Sequence, residues 1–133
     1  MIGIYHAHAQ TFLLILTIVT TLVFAGPIFL IPLTWARWFQ WRIPEHTDLA
    51  VYFGRCLGAF ILIVEGLMLR AALTGEGIVF TFQVLAAVAI FMVIVHIWGA
   101  IKRIQPWTET AEIGMYSGLL VLALLFYPIA QSQ

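Results

Sequence analysis

Between Ala9 and Ala36 the chain carries no charged side chain and no histidine. A bilayer core of about 30 Å is crossed by roughly 20 apolar residues, so this stretch predicts a membrane-spanning helix over residues 10–33. Three further segments meet the same requirement. They run over 49–73, which includes Arg55 and Glu65, over 78–101, which includes His96, and over 111–129, followed by a polar Gln-Ser-Gln tail. The apolar runs are continuous instead of alternating with period two, and a barrel needs at least eight strands of about ten residues. Connections of about fifteen, four and nine residues set consecutive helices antiparallel. The expectation is an all-α membrane protein, a four-transmembrane-helix antiparallel bundle forming one domain over residues 1–133. The first run lacks a basic leader and continues through Gly26-Pro27 into further apolar sequence, so it is expected to be a span and not a cleaved signal.

Composition narrows the partners. Six basic and six acidic residues among 133, with 63% apolar, cannot furnish a water-facing surface. A net charge of zero argues against a nucleic-acid surface. The single cysteine, Cys56, excludes an internal disulfide and any CxxC centre. The expected partners are the lipid bilayer and either other membrane subunits or a second copy of the chain.

Orientation follows from lysine and arginine in the short connections. Arg37 and Arg42 follow the first span and Lys102 and Arg103 the third, while the opposite side has only Arg70. This places loops one and three in the cytoplasm and both termini outside. In loop one, Trp35, Trp38 and Trp41 recur every third residue with Arg37 and Arg42 between them. That spacing suits a short helix lying in the interface, as an aromatic belt or a docking surface for lipid or a partner.

Glu65 is the sharpest feature. On a helix Gly54 and Gly58 fall near its face, and as a GxxxG pair they allow close backbone approach. Glu65 is therefore expected to point at protein, either as a proton-linked group or as a structural hydrogen-bond partner of Gln83, Tyr5 or a threonine. Arg55, about a turn and a half inside its span, would snorkel or pair with Glu112. His96 faces a small-residue side that includes Ala89, Gly99 and Ala100. It reads as a satisfied buried histidine or as a proton relay, haem ligand or quinone contact. His6 and His8 form an H-x-H pair that could bind copper or zinc with Glu76, or serve as interfacial polar groups.

The stretch YFGRCLGAFILIVEGLMLR, residues 52–70, resembles a helix of the DoxX-like small four-span bacterial membrane proteins through Arg55, Gly58, Gly66 and Arg70. The resemblance covers about one-seventh of the chain. It implies a compact four-helix bundle in the bacterial inner membrane and, for some members, a link to redox complexes; it assigns no catalytic residue. In that family this helix usually comes first, whereas here it is second.

Three functional expectations follow. The first is a small accessory or structural subunit of a larger inner-membrane assembly, possessing no catalytic constellation of its own. The second is a proton-coupled small-molecule carrier acting as a homo-oligomer with Glu65 as proton site. The third is a metal- or haem-binding membrane oxidoreductase subunit using His96 or the His6/His8 pair.

Overall fold

A computed structural model describes residues 2–129, so the polar tail lies outside the described residues. Four helices are long and apolar enough to cross a membrane: α1 (His6–Leu30), α3 (Asp48–Thr74), α4 (Ile78–Lys102) and α5 (Trp107–Leu125). A short helix α2 (Pro32–Trp38) follows α1 directly. No strand occurs among the described residues. The protein is an all-α, multi-pass membrane protein. Its outward faces carry Leu22, Phe60, Phe91, Ile101 and many other large apolar side chains, as contact with lipid requires.

Helix α1 is not uniform. A 3-10 turn at His6–His8 opens it, and a π turn at Thr21–Ala25 interrupts it. Pro27 lies just beyond that turn and has no N–H to offer the Val23 carbonyl four residues earlier. The Trp35 indole fills the vacancy, donating to Val23 O at 3.0 Å. One proline thus frees an acceptor in α1, and the acceptor ties down α2. The chain breaks at Ile31 (φ −135°), and Pro32 starts α2 with its missing N–H where a helix needs no donor.

Helix α2 ends at Trp38, so the three tryptophans do not share one helix face. Gln40 adopts φ +63°, which is sterically uncommon for a residue with a side chain, and the turn carries Trp41 toward α5. Trp35 stacks on Phe39 at 4.5 Å, and Phe24 of α1 closes on Phe39 at 5.6 Å.

The core gathers toward the end of the bundle that holds the chain's beginning. Leu13, Ala71 and Phe82 are fully buried there with Met68, Leu85 and Ala123, and Phe12 stacks on Phe126 at 4.6 Å. The residues before α1 dock on the end of α5 through Gly3 N to Leu124 O and Tyr5 N to Leu125 O, both 2.9 Å. The turn between α3 and α4 needs two left-handed residues, and glycine supplies both, Gly75 at φ +74° and Gly77 at φ +69°. Midway along α3, Gly58 lies against the backbone of Phe29 in α1, and Gly54 lies against Pro32.

The fourth span differs from the sequence expectation. It begins at Trp107 and not near residue 111, and it stops at Leu125. Pro106 caps it in extended conformation (φ −66°, ψ 165°), and the extra turn brings Glu109 inside the helix.

Candidate functional site

At the end of the bundle formed by loops one and three, α4 and α5 place His96, Glu109 and Glu112 together. All three are buried, with 3%, 8% and 7% of their surface exposed. His96 Nε2 lies 3.2 Å from Glu109 Oε2 and 3.4 Å from Glu112 Oε2. One donor atom from each residue falls within 4.8 Å of the others. The sequence builds this locally: Glu109, Glu112 and Tyr116 are spaced i, i+3, i+7 and so share one face of α5. His96 approaches that face from α4, with its ring 5.3 Å from Tyr116.

The hydrogen-bond inventory of His96 defines the site. Its Nδ1 is 2.6 Å from the Met92 carbonyl, which can only accept, so Nδ1 carries a proton. In a neutral imidazole Nε2 is then a lone pair, aimed at two carboxylates that are themselves acceptors. Nε2 and two carboxylates converging in a buried space need a proton or a metal cation between them. Glu112 Oε1 is also buried and has no partner.

Surrounding groups hold the arrangement. The Trp41 indole donates to Glu109 Oε1 at 2.7 Å, and Thr108 donates to Phe39 O at 2.5 Å, joining loop one to the start of α5. Gln105 donates to His96 O at 3.0 Å and to Thr110 Oγ1 at 3.1 Å. Its side chain lies over Gly99, where a Cβ would collide with the Gln105 carboxamide. Arg103, the second residue with a side chain at positive φ (+54°), ends α4 and lets the short connection turn back.

Among the residues singled out by sequence, His96 and Glu112 are in this site, Trp41 borders it, and the rest are elsewhere. Glu65, 6% exposed, receives the Thr20 hydroxyl on Oε1 at 2.5 Å; Gln83 instead donates to the Tyr127 hydroxyl at 3.4 Å. Arg55 forms no ion pair among the described residues, since Glu112 turns to His96; it borders a surface recess with Asp48 and Tyr52. His6 and His8 sit in the 3-10 turn, where His6 Nδ1 donates to Gly3 O at 2.9 Å. Glu76 pairs with Arg70 at 2.6 Å on the exposed surface and does not join them. Trp38, Arg37 and Arg42 stay at the first connection, whereas Trp41 reaches Glu109.

Sequence reasoning missed Glu109 and the pairing of Glu112 with His96, because acidic residues were read as the edge of the fourth span. The available signal was the E-x-x-E spacing following a proline start. The Trp41 contact yields a direct test. If Glu109 ligates a cation, Trp41→Phe removes one hydrogen bond to it and should weaken binding by roughly tenfold or more. Titration of the purified variant with zinc reads that change, and unaltered affinity would sever Trp41 from the site.

Comparisons with protein-family models, with curated proteins and with solved structures find no match. The DoxX-like resemblance of residues 52–70 therefore rests on those residues alone.

Proposed function

We propose that the protein is a small subunit of a bacterial inner-membrane assembly and that it holds one divalent transition-metal ion on His96, Glu109 and Glu112. The observation that carries this reading is the convergence of three buried ligand atoms: with Nδ1 turned to Met92 O, His96 Nε2 faces Glu109 and Glu112. A divalent ion satisfies all three and balances two negative charges in a medium where net charge is costly. Ligands about 2.1 Å from a metal lie roughly 3.0–3.4 Å apart at tetrahedral or octahedral angles, the separations His96 has from Glu109 and Glu112. Imidazole with carboxylates suits zinc, iron or manganese. The Met92 and Trp41 contacts orient ligands as outer-shell partners do in metal sites.

Three protein ligands leave positions for water or a substrate, as catalytic and redox centres have and closed structural sites lack. Placed by the arginine and lysine bias, the site lies at the cytoplasmic end and both termini lie outside. Among the described residues Tyr116 is the one further titratable group beside the three ligands, which suits a subunit serving a larger assembly.

The decisive experiment is metal analysis of protein purified in mild detergent without chelator, with native mass to identify co-eluting chains. About one zinc, iron or manganese per chain is expected, and His96→Ala should lose it. If the wild type, reloaded with each metal, retains no more than His96→Ala, the metal reading fails. A chain that purifies only alone would remove the assembly.

A further inference from the structure

A second polar site lies at mid-depth between α1 and α3, on residues separate from the proposed metal ligands. Glu65 is 17 residues from the start of α3 and nine from its end, so it sits where an ionised carboxylate is most costly. It forms no ion pair among the described residues. Arg55 is ten residues, or about 15 Å of helix, away. An ionised Glu65 thus has no paired countercharge among the described residues.

Its two oxygens differ. Oε1 lies 2.5 Å from the Thr20 hydroxyl, which also reaches Leu16 O at 2.7 Å, while Oε2 is buried without a partner among the described residues. On α1 one turn earlier, the Thr17 hydroxyl is also buried without a partner, with only 5% of the residue exposed. Thr17 and Thr20 share a helical face. The antiparallel register is fixed by Thr20 on Glu65 and by Gln10 Nε2 on Ala72 O (3.1 Å), and Thr17 falls between those two contacts. Two oxygen atoms left over at the same helix interface are uncommon in a folded protein and call for a ligand.

We propose that Glu65 and Thr17 bind one monovalent alkali cation, with Thr20 holding the carboxylate in place. A single carboxylate balances a single positive charge, which disfavours a divalent ion at this depth. All available donors are oxygen, which suits a hard cation and gives nothing to a soft one. A proton on Glu65 would serve the Thr17 hydroxyl only by bridging the two oxygens directly, and neither has a hydrogen-bond partner among the described residues. A cation engages both leftover atoms, with water completing its shell. The π turn that begins at Thr21, immediately after this threonine pair, is a helix irregularity of the kind found at functional sites.

Retention of sodium-22 by detergent-purified protein tests the site, using protein equilibrated in an organic-cation buffer and then exposed to sodium. One ion per chain is expected for the wild type and none for Glu65→Gln, while Glu76→Gln, which changes an exposed carboxylate, retains it fully. Thr17→Val should bind about tenfold more weakly and Thr17→Ser should restore affinity. Should Glu65→Gln lose its helical circular dichroism, the Thr17→Val and Thr17→Ser pair decides. A folded wild type that retains no sodium overturns the proposal, and so does equal affinity in Thr17→Val. Either result leaves Glu65 as a neutral acid or a water-bound group. Because the two sites share no residue, failure here leaves the metal reading untouched, and failure of the metal reading leaves this one standing.

Discussion

Gly58→Val should separate α1 from α3 and cost the fold several kcal/mol. A Cβ at position 58 would lie 2.5 Å from Phe29 N and 2.7 Å from Phe29 Cα. Those are backbone atoms in the last turn of α1, just before the break at Ile31, so relief requires moving that end of the helix away from α3. Overpacking that side-chain shifts can absorb costs about 1–3 kcal/mol, and a rigid backbone obstacle exceeds that range. Helices in lipid associate through close packing and not through the hydrophobic effect, so lost contact is not repaid by burial elsewhere. Gly99→Ala is the informative contrast. There the obstacle is the end of the Gln105 side chain, which can swing away at the loss of two hydrogen bonds, or about 1–3 kcal/mol. Unfolding by titration with a denaturing detergent should rank Gly58→Val well below Gly99→Ala, and equal stability would mean that α1 slides freely on α3.

The second large effect concerns the acidic pair. His96→Leu, examined without added metal, leaves Glu109 and Glu112 buried beside one another with no cationic partner. Removing one member of a buried charged group typically costs about 3–5 kcal/mol, whereas replacing the whole group with apolar residues is often neutral or stabilising. The triple variant His96→Leu, Glu109→Leu, Glu112→Leu should therefore recover wild-type stability or exceed it, while His96→Leu alone falls well below. Added metal should raise the wild type by about 4 kcal/mol at a thousandfold excess over Kd and leave both variants unchanged. The same denaturation, measured with and without zinc on all three proteins, checks these values. Metal-insensitive wild-type stability would count against the site even if the apolar triple behaved as described.

Much of the fold was legible because membrane spans are written in long, uncharged runs. Residues 10–33 contain no charge to confuse the reading, and α3 and α4 were placed within a residue of their observed ends despite Arg55, Glu65 and His96. The fourth span was harder for the reason that makes it interesting. Glu109 and Glu112 would be prohibitive in lipid, so hydropathy excludes them, yet His96 and Trp41 cover them inside the bundle. Hydropathy measures the cost of exposure and is blind to a partner thirteen residues away across a turn. Glu65 showed itself as an anomaly in its own span, while its contact with Thr20 depended on the register between helices, which one sequence does not contain. The π turn left only an indirect sign, Pro27 within an apolar run.

That proline gives the first connection its mechanical character. The Trp35 indole is fastened to Val23 O, its ring rests on Phe39, and the Phe39 carbonyl is fastened to Thr108 at the head of α5. A peptide segment of this kind usually behaves as slack rope between two posts; here it is a braced strut with a joint at each end. Its length sets how far the first helix stands from the last, and Trp41 hangs from it at a fixed offset over Glu109. Any shift of the π turn along α1 would be delivered to the opposite corner of the molecule as a displacement instead of being absorbed on the way.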